Sequence, residues 1–265
     1  MAHLDFGTTF SDNQPVLSVV RDNGGATLSL TFAAFVIALL VGIPLGLTAG
    51  RYRDSVSDVV IRLFGIVSYA APIFFVGFLL QVYVAGPLGL PTSGDASPIT
   101  TFEVEDKPKT HILLVDVFLS GNGAAIQDVL RHLVLPAFTL GLLICGVFIR
   151  LVRVNMLMTM QADYVEAAEA RGIQRGKVTW RHAFRNALVP VITVVGLQFA
   201  LLLGGAVLTE TTFNWPGLGQ KLVVYINNRD YGAVQGIVTV FAIAVVLISV
   251  LVDIVNALID PRVRF

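Results

Sequence analysis

The sequence has few of the residues on which enzyme and metal sites depend. Its single cysteine, Cys145, excludes an internal disulfide framework and a multi-cysteine metal site. The four histidines are scattered, at positions 3, 111, 132 and 182, and neither H-E-x-x-H nor G-x-S-x-G occurs. The formal net charge is zero, so no basic excess points to nucleic acid. We therefore predict no catalytic residue, no metal, no cofactor and no nucleic-acid partner for this chain.

A phosphate-binding loop is also missing. Residues 172–179 ("GIQRGKVT") have three residues between the first glycine and the Gly-Lys pair, where the loop needs four. Val178 then stands where serine or threonine is required. The sequence therefore predicts no ATP site in this chain.

Apolar residues, in contrast, are abundant: 55% of the chain is hydrophobic, 14% is charged, and the mean hydropathy is +0.78. A membrane-spanning helix needs about 20 mainly apolar residues. Five runs meet that need, at about 26–50, 63–85, 133–151, 187–208 and 234–258. None alternates as a membrane strand would. The sequence therefore predicts an all-α, polytopic membrane bundle with about five transmembrane helices.

Lysine and arginine are unevenly distributed between the loops. Eleven lie between the first and second runs, between the third and fourth, or after the fifth. With Arg150, at the end of the third run, this side has twelve, whereas six lie in the remaining segments. The positive-inside rule then places loop 160–187 and the C-terminus in the cytoplasm. Loop 86–131 and segment 209–233 lie outside. Five crossings also place residues 1–25 outside. A short tail can cross the membrane without a preceding helix, but a missing N-terminal helix would explain this arrangement more simply.

Small residues repeat every fourth position in the first run, at Ala34, Ala38, Gly42, Gly46 and Gly50. Such a strip allows close approach of another helix. Both packing within the chain and packing against a second subunit are compatible with it.

One acidic residue, Asp253, lies within a hydrophobic run. A charge at membrane depth usually faces a partner or water. It could contact a proton or substrate, or it could pair with a neighbouring helix or a loop arginine near the cytoplasmic end.

The charged stretch 162–190 ("ADYVEAAEARGIQRGKVTWRHAFRNALVP") separates two apolar runs. Residues 163–170 are good helix formers, and Gly172 can end a helix with a left-handed turn. A second helix is predicted over 177–188. A short helix with small side chains can dock in a groove of another protein, but a solvated connector has the same composition.

This stretch resembles the EAA loop of permease subunits in bacterial ABC importers. Its "EAAEARG" and "ALVP", with the surrounding residues 163–198, are similar to the first (B-type) permease subunit of the dipeptide/oligopeptide permease family. Further similar segments are "LDFGTTF" (4–10), "LPTSG" (90–94), "RHLVLPAFTLGL" (131–142), "ETTFNWPGLGQ" (210–220), "NRDY" (228–231) and "DPRVRF" (260–265). The resemblance covers nearly the whole chain.

The chain departs from the family pattern in three places. Residues 182–185 ("HAFR") replace the I-x-L-P element of the general EAA loop, a variant that the peptide subfamily shares. The membrane helix with which the family usually opens, giving six in all, is absent from the sequence. The outer insertion at 99–123 is longer than usual, and we assign it no role.

The resemblance implies a type I ABC importer permease in the bacterial cytoplasmic membrane, with residues 26–265 forming the transmembrane domain. It implies three kinds of partner: a second, homologous permease in a heterodimer, two ATPase subunits beneath, and an extracytoplasmic substrate-binding protein. The transported solutes would be di- or oligopeptides or related small solutes. An ion-coupled secondary transporter is one alternative, although it would need polar groups at mid-membrane and often inverted repeats. A receptor or scaffold that binds a partner without transport is another.

The resemblance also assigns roles to individual residues. The ATPase-coupling residues would be Tyr164, Glu166, Ala167, Ala168, Arg171 and Gly172. The candidates for contact with the binding protein are Trp215, Pro216 and Gly217, and the helix-packing residues are Gly42, Gly46 and Gly50.

Overall fold

The computed structural model describes residues 6–105, 110–178, 184–187 and 189–259. These residues are helical apart from connecting segments and one isolated bridge between Thr8 and Pro15. The helices, in chain order, are α1 (Val16–Arg51), α2 (Val56–Ala70), α3 (Ile73–Leu80), α4 (Gly86–Leu88), α5 (Pro98–Glu105), α6 (Leu113–Ser120), α7 (Gly123–Met160), α8 (Asp163–Ala170), α9 (Arg175–Lys177), α10 (Phe184–Ala187), α11 (Val189–Thr212), α12 (Leu218–Asn227) and α13 (Tyr231–Ile259). The π-helical segment Gln81–Ala85 joins α3 to α4. The all-helical prediction is confirmed.

Three helices of the described residues are long and apolar enough to cross a membrane: Val16–Arg51, Gly123–Met160 and Tyr231–Val252. A fourth span results if α2 and the bent continuation Ile73–Leu88 count as one. The fourth predicted run, 187–208, falls largely on the 24-residue helix α11. The helices extend beyond the predicted runs: α1 starts ten residues early, and α7 has 38 residues.

The second predicted run, 63–85, is interrupted. α2 ends at Ala70, and Ala71 is extended, with φ −70° and ψ 133°. Proline disfavours the helical conformation in the residue before it, so Pro72 ends α2 and allows α3 to start at Ile73. The run 63–85 is long and apolar enough for one membrane helix, but it forms parts of two helices. Hydropathy alone does not detect a break that proline causes.

Contacts between residues divide the chain into two compact units. The first unit comprises Met1–Ala34, Pro72–Leu140 and Phe199–Leu247. One of its cores joins the start of α1 to α12 and α13 through Val16, Val19, Leu218, Tyr225 and Ile237. The predicted outer loop 86–131 contains α4, α5, α6 and the beginning of α7.

The second unit comprises Phe35–Ala71, Gly141–Gln198 and Ile248–Phe265. Its core includes Ala49, Ile61, Cys145 and Ile149. The glycine strip of α1 faces α7 there. A Cβ added at Gly42, Gly46 or Gly50 would lie 2.8 Å from α7, at the Cβ of Phe148, the carbonyl oxygen of Ile149 and the Cβ of Met156 respectively. These glycines therefore bring the two helix backbones together.

Candidate functional site

The charged loop contains the short helix α8, which has an inner and an outer face. Val165 and Ala168, three residues apart, are buried, with 2% and 8% of their surface exposed. Asp163, Glu166, Ala167 and Ala170 are exposed, and their spacing of three or four residues places them on the opposite face. The outer face thus has two small alanines beside two carboxylates. Those carboxylates lie in the first turn, where they complement the positive end of the helix dipole.

The six predicted coupling residues do not share one surface. Tyr164 is 41% exposed, and Glu166, Ala167, Arg171 and Gly172 are exposed. Ala168 is buried within the chain. The alanine pair of the "EAA" motif is therefore divided: Ala167 is available to a partner, whereas Ala168 lets α8 lie close to its own subunit.

Gly172 ends α8 with a left-handed residue, at φ +76°. The N–H of Ile173 donates to the carbonyl oxygen of Ala168 at 3.2 Å, across six residues. This bond and the positive φ at the intervening glycine define a Schellman turn. No atom lies within 4 Å of a Cβ built on Gly172, so backbone conformation alone requires glycine there.

The second helix predicted over 177–188 coincides only partly with described residues. A single helical turn, α9, covers Arg175–Lys177, where the N–H of Lys177 donates to the carbonyl oxygen of Gln174 at 2.8 Å. α10 covers Phe184–Ala187. Residues 179–183 and 188 lie outside the described part of the chain, as does the side chain of Asp253.

A buried ion pair in the second unit joins α2 to α7. The carboxylate of Asp58 is fully buried and accepts bonds from both Nε and Nη2 of Arg153, at 2.7 and 2.8 Å. It also accepts the backbone N–H of Asp54 at 3.0 Å, and Arg62 approaches it at 3.5 Å. A two-pronged guanidinium–carboxylate pair fixes orientation as well as distance. The pair therefore holds the last part of α7 against the start of α2, since Arg153 lies seven residues before the end of α7.

The segment after α11, in the first unit, is folded inward. Trp215 is 2% exposed, and its indole N–H donates to the carbonyl oxygen of Ala26 at 2.9 Å. Gly217 is buried, and Pro216 is half-buried. Of the three predicted contacts with a binding protein, Pro216 is thus the one with accessible surface.

Glu210 is the centre of that segment, and sequence reasoning missed it. Its buried carboxylate accepts the hydroxyl of Thr27 at 2.7 Å and the N–H of Gln220 at 2.9 Å. The hydroxyl of Thr27 accepts in turn the N–H of Leu218 at 2.8 Å. A Cβ on Gly217 would collide with the Glu210 carboxylate, which explains the first glycine of "WPGLG". We name this set of contacts between Thr27, Glu210 and residues 215–220 the outer clasp. The sequence does carry one sign of this role: Glu210 is an acidic residue just after the apolar run 187–208.

Asp230 anchors the segment before α1 in the same unit. Its Oδ2 accepts the N–H groups of Phe10 and Ser11 at 2.7 and 3.0 Å and the hydroxyl of Ser11 at 2.9 Å. Its Oδ1 accepts the N–H of Ala233 at 3.1 Å and so caps α13. Burial disfavours the ionised form, but these hydrogen bonds outweigh it, so the pKa of Asp230 lies below its usual value.

No metal-binding group of three or more His, Cys, Asp or Glu side chains is present among the described residues. The carboxylates of Asp58, Glu210 and Asp230 each lie near a helix end and accept hydrogen bonds from another part of the chain. What they position is a short exposed helix in one unit and a closed segment in the other.

This architecture is that of an ABC importer permease. Over 92% of the chain it matches 97% of a chain of the MetNI methionine ABC transporter in an inward-facing conformation, with a TM-score of 0.68 and 13% identity. A chain of an amino acid ABC transporter, crystallised with histidines, matches with a TM-score of 0.57 and 14% identity, covering 87% of this chain and 89% of that one. At these identities the matches establish the fold.

Sequence establishes the family. The profile of the binding-protein-dependent transport system inner membrane component matches residues 42–265, and the chain belongs to that family. It is therefore a multi-pass protein of the inner membrane, in a family that works with ATPase and substrate-binding partners. The predicted resemblance to an ABC permease of the dipeptide family is confirmed.

Curated relatives extend the match over nearly the whole chain. The dipeptide transport system permease protein DppB of Haemophilus influenzae is 39% identical over 98% of this chain and 77% of its own length. The Escherichia coli K12 protein of the same name is 37% identical over 99% and 77%. The putrescine export system permease protein SapB of E. coli K12 is 36% identical over 98% and 81%.

Proposed function

We propose that this chain is a permease subunit of an ATP-driven importer that carries di- or oligopeptides or related small solutes across the inner membrane. The observation that carries the proposal is the identity of 37–39% with two dipeptide permeases over 98–99% of the chain. ATP hydrolysis takes place on separate ATPase subunits, because the sequence contains no phosphate-binding loop.

The chain pairs with a second, homologous permease as a heterodimer that lines the path, and two ATPase subunits bind on the cytoplasmic side. A substrate-binding protein delivers the solute from outside. Half-buried Pro216 and exposed Asn214 are the residues of the outer clasp region that offer it a contact surface. The buried Trp215 and Gly217 support that surface from beneath.

The exposed face of α8 is the contact with an ATPase subunit. Ala167 and Ala170 leave the centre of this face flat, so the helix can lie deep in a groove of the partner. Asp163, Glu166 and Arg171 surround this centre with charges that set its register. The Schellman turn at Gly172 holds the end of the helix in one geometry, so the helix meets its groove without first having to be ordered.

Movement of α8 reaches the membrane helices through contacts inside the second unit. A short turn joins α8 to α7, with the N–H of Gln161 donating to the carbonyl oxygen of Met158 at 3.2 Å. The Asp58–Arg153 pair ties α7 to α2, and the glycine strip ties α7 to α1. Because packed interfaces of this kind do not deform continuously, a displacement of α8 moves these helices together. Coupling then requires that α8 bind the ATPase differently in its nucleotide states.

Reconstitution tests the proposal. The chain is co-expressed with its partner permease, ATPases and binding protein, purified as a complex, and placed in liposomes. We expect ATP-dependent accumulation of a labelled dipeptide that needs the binding protein. Accumulation driven by an ion gradient, with no ATPase present, would favour the secondary-transporter alternative instead.

Export of a small polycation is a second candidate, favoured by the similarity to the putrescine export permease SapB. The same liposomes distinguish the two directions. ATP supplied on the ATPase side should move a dipeptide towards that side in an importer, whereas an exporter should move labelled putrescine away from it.

A further inference from the structure

A cavity of about 600 Å³ opens between α2 and α7 in the second unit. Its walls are one face of each helix, since the lining positions on both are three or four residues apart. The side chains that matter most are Arg62, Ile66 and Tyr69 on α2 and Val147, Arg150 and Arg153 on α7. The two helices touch at Gly65 and Gly146, where a Cβ on Gly146 would collide with the carbonyl oxygen of Gly65. The cavity lies beside this crossing.

The charge of the cavity wall is strongly unbalanced. Three arginines line it, and no carboxylate is among the lining residues that the structure describes. Arg62 and Arg153 both approach the carboxylate of Asp58, whose two oxygens Arg153 already occupies. Arg62 keeps 46% of its side-chain surface exposed, and Arg150 is also exposed. Asp54 also acts electrostatically on Arg153, but it is paired with Arg53 at 3.0 Å. Among the described side chains, the three arginines and Asp58 therefore leave an excess of two positive charges that a ligand can neutralise.

The rest of the wall is apolar, and the charges lie at one end of it. Arg62 directly precedes the apolar run 63–85, and Arg150 lies at the end of the run 133–151. The guanidinium groups are thus at the predicted cytoplasmic boundary of the membrane, with Ile66, Tyr69 and Val147 on the membrane side of them. The adjoining surface of α2 is also apolar and exposed: Leu63 and Val67 are 56% and 63% accessible.

We propose that this cavity binds an anionic phospholipid of the cytoplasmic leaflet. Arg62 and Arg150 hold the phosphate, and an acyl chain lies along Ile66, Tyr69 and Val147. Arg153 remains paired with Asp58 and adds its charge from behind. Basic pockets between membrane helices at the cytoplasmic side suit phospholipid head groups, and arginine matches phosphate oxygens with two donors at once.

A soluble ligand fits the cavity less well. A peptide carboxylate could meet the arginines, but the amide groups behind it would then lie against apolar side chains without hydrogen-bond partners, which is unfavourable. A phospholipid has its apolar part where the wall is apolar. The proposal goes beyond the import function and does not depend on the transported solute, because lipid binding is measured without transport.

The test measures lipid binding to the intact chain, purified in detergent, by native mass spectrometry. The probes are phosphatidylglycerol and phosphatidylcholine with the same acyl chains. Arg150→Gln should weaken phosphatidylglycerol binding about fivefold, and the double change with Arg62→Gln about 25-fold, with little effect on phosphatidylcholine. Arg51→Gln is the matched control: Arg51 is exposed on the same predicted side and stacks over Tyr52 at 5.2 Å, outside the cavity. It should leave phosphatidylglycerol binding unchanged.

Three results would overturn the proposal. Equal binding of the two lipids to the unaltered chain would show that the arginines do not select for the negative charge of phosphatidylglycerol. An equal loss with Arg51→Gln would show a general surface effect rather than a site. Displacement of bound phosphatidylglycerol by an acidic dipeptide would assign the cavity to a soluble solute. Thermal unfolding of each variant, expected to be unchanged, separates these results from misfolding.

Discussion

Replacing Gly172 by alanine should weaken the hold of the ATPase subunit on this chain. The residue has φ +76°, and no atom lies within 4 Å of the position that the new methyl group would take. The substitution therefore introduces no collision. Its whole effect comes from the preference of L-residues for negative φ, and it acts on the Schellman turn that ends α8.

The expected size follows from that single cause. A non-glycine residue in the left-handed conformation costs about 1–2 kcal/mol. If the turn relaxes in the free permease and must form again for docking, this cost is subtracted from the binding free energy. Binding of the ATPase should then weaken about 5–30-fold. Gly172→Asn should fall between glycine and alanine, because asparagine tolerates this conformation better. Gly172→Pro should abolish docking, since proline fixes φ near −65°.

Gly176 supplies the matched control, four residues away in the same loop. It too has open space around its missing Cβ, but it lies in the helical turn α9 and is not among the residues with positive φ. Alanine there should be neutral or stabilising by about 0.5–1 kcal/mol, as expected for glycine replacement within a helix. The two Gly→Ala changes thus differ in backbone conformation and not in size.

The assay is retention of the ATPase subunits on the purified permease at limiting concentration, measured together with dipeptide uptake in liposomes. The reasoning is wrong if Gly172→Ala and Gly176→Ala retain the ATPase and import dipeptide equally well. In that case the loop is a solvated connector, and α8 is not the coupling helix. Normal insertion of every variant, judged by yield and thermal unfolding, is needed for either conclusion.

Three further predictions concern other contacts. Ala167→Leu should reduce ATPase retention with unchanged thermal unfolding, because Ala167 is exposed, whereas Ala168→Leu should also destabilise the chain by about 1–3 kcal/mol, since Ala168 is buried. Arg153→Ala, which leaves a buried carboxylate without its main partner, should lower the free energy of unfolding by about 3 kcal/mol, and Arg62→Ala, at 46% exposure, by less than about 1 kcal/mol; equal effects would refute the assignment of the main partner. The pKa of Asp230 lies below its ordinary value in the folded chain, because Phe10, Ser11 and Ala233 donate hydrogen bonds to the carboxylate, so the ionised form stabilises the fold. The gap in melting temperature between wild type and Asp230→Asn should therefore shrink as the pH falls below about 4. A gap that does not change with pH would show that ionisation is not involved.

Local patterns were sufficient to predict the long apolar helices and the short helix α8, but not the short helices α4, α5, α6 and α12 outside the apolar runs. A spanning helix satisfies its own backbone, so a run of apolar residues carries most of the information needed to place it. The start of α8 and the end at Gly172 follow equally from neighbouring residues. The break at Ala71 and Pro72 was missed because the five runs were chosen by hydropathy, although proline and its effect on the preceding residue are also local signals.

Contacts between distant residues could not be predicted in the same way. Asp58 and Arg153 are 95 positions apart, and each resembles an ordinary charge beside a membrane helix until the fold brings them together. The split between Ala167 and Ala168 is another case. Both are small residues in a helix, and only the position of α8 against its own subunit decides which one is exposed.

The outer clasp has a consequence for biosynthesis. Thr27 and Glu210 are separated by 183 residues, so the carboxylate leaves the ribosome well after the hydroxyl that it will bind. At about 5–20 residues per second, the delay is roughly 10–40 s. Through that interval, the carbonyl oxygen of Ala26 keeps the hydrogen bond of its own helix, and the hydroxyl of Thr27 can bond to water or to the backbone of the same helix. The indole of Trp215 and the backbone N–H of Leu218 reach Ala26 and Thr27 only after 189 and 191 further residues, respectively, have been synthesised. The contacts between α1 and residues 210–220 therefore form late, and a nascent permease that stops before Glu210 lacks the side chains that hold this part of α1.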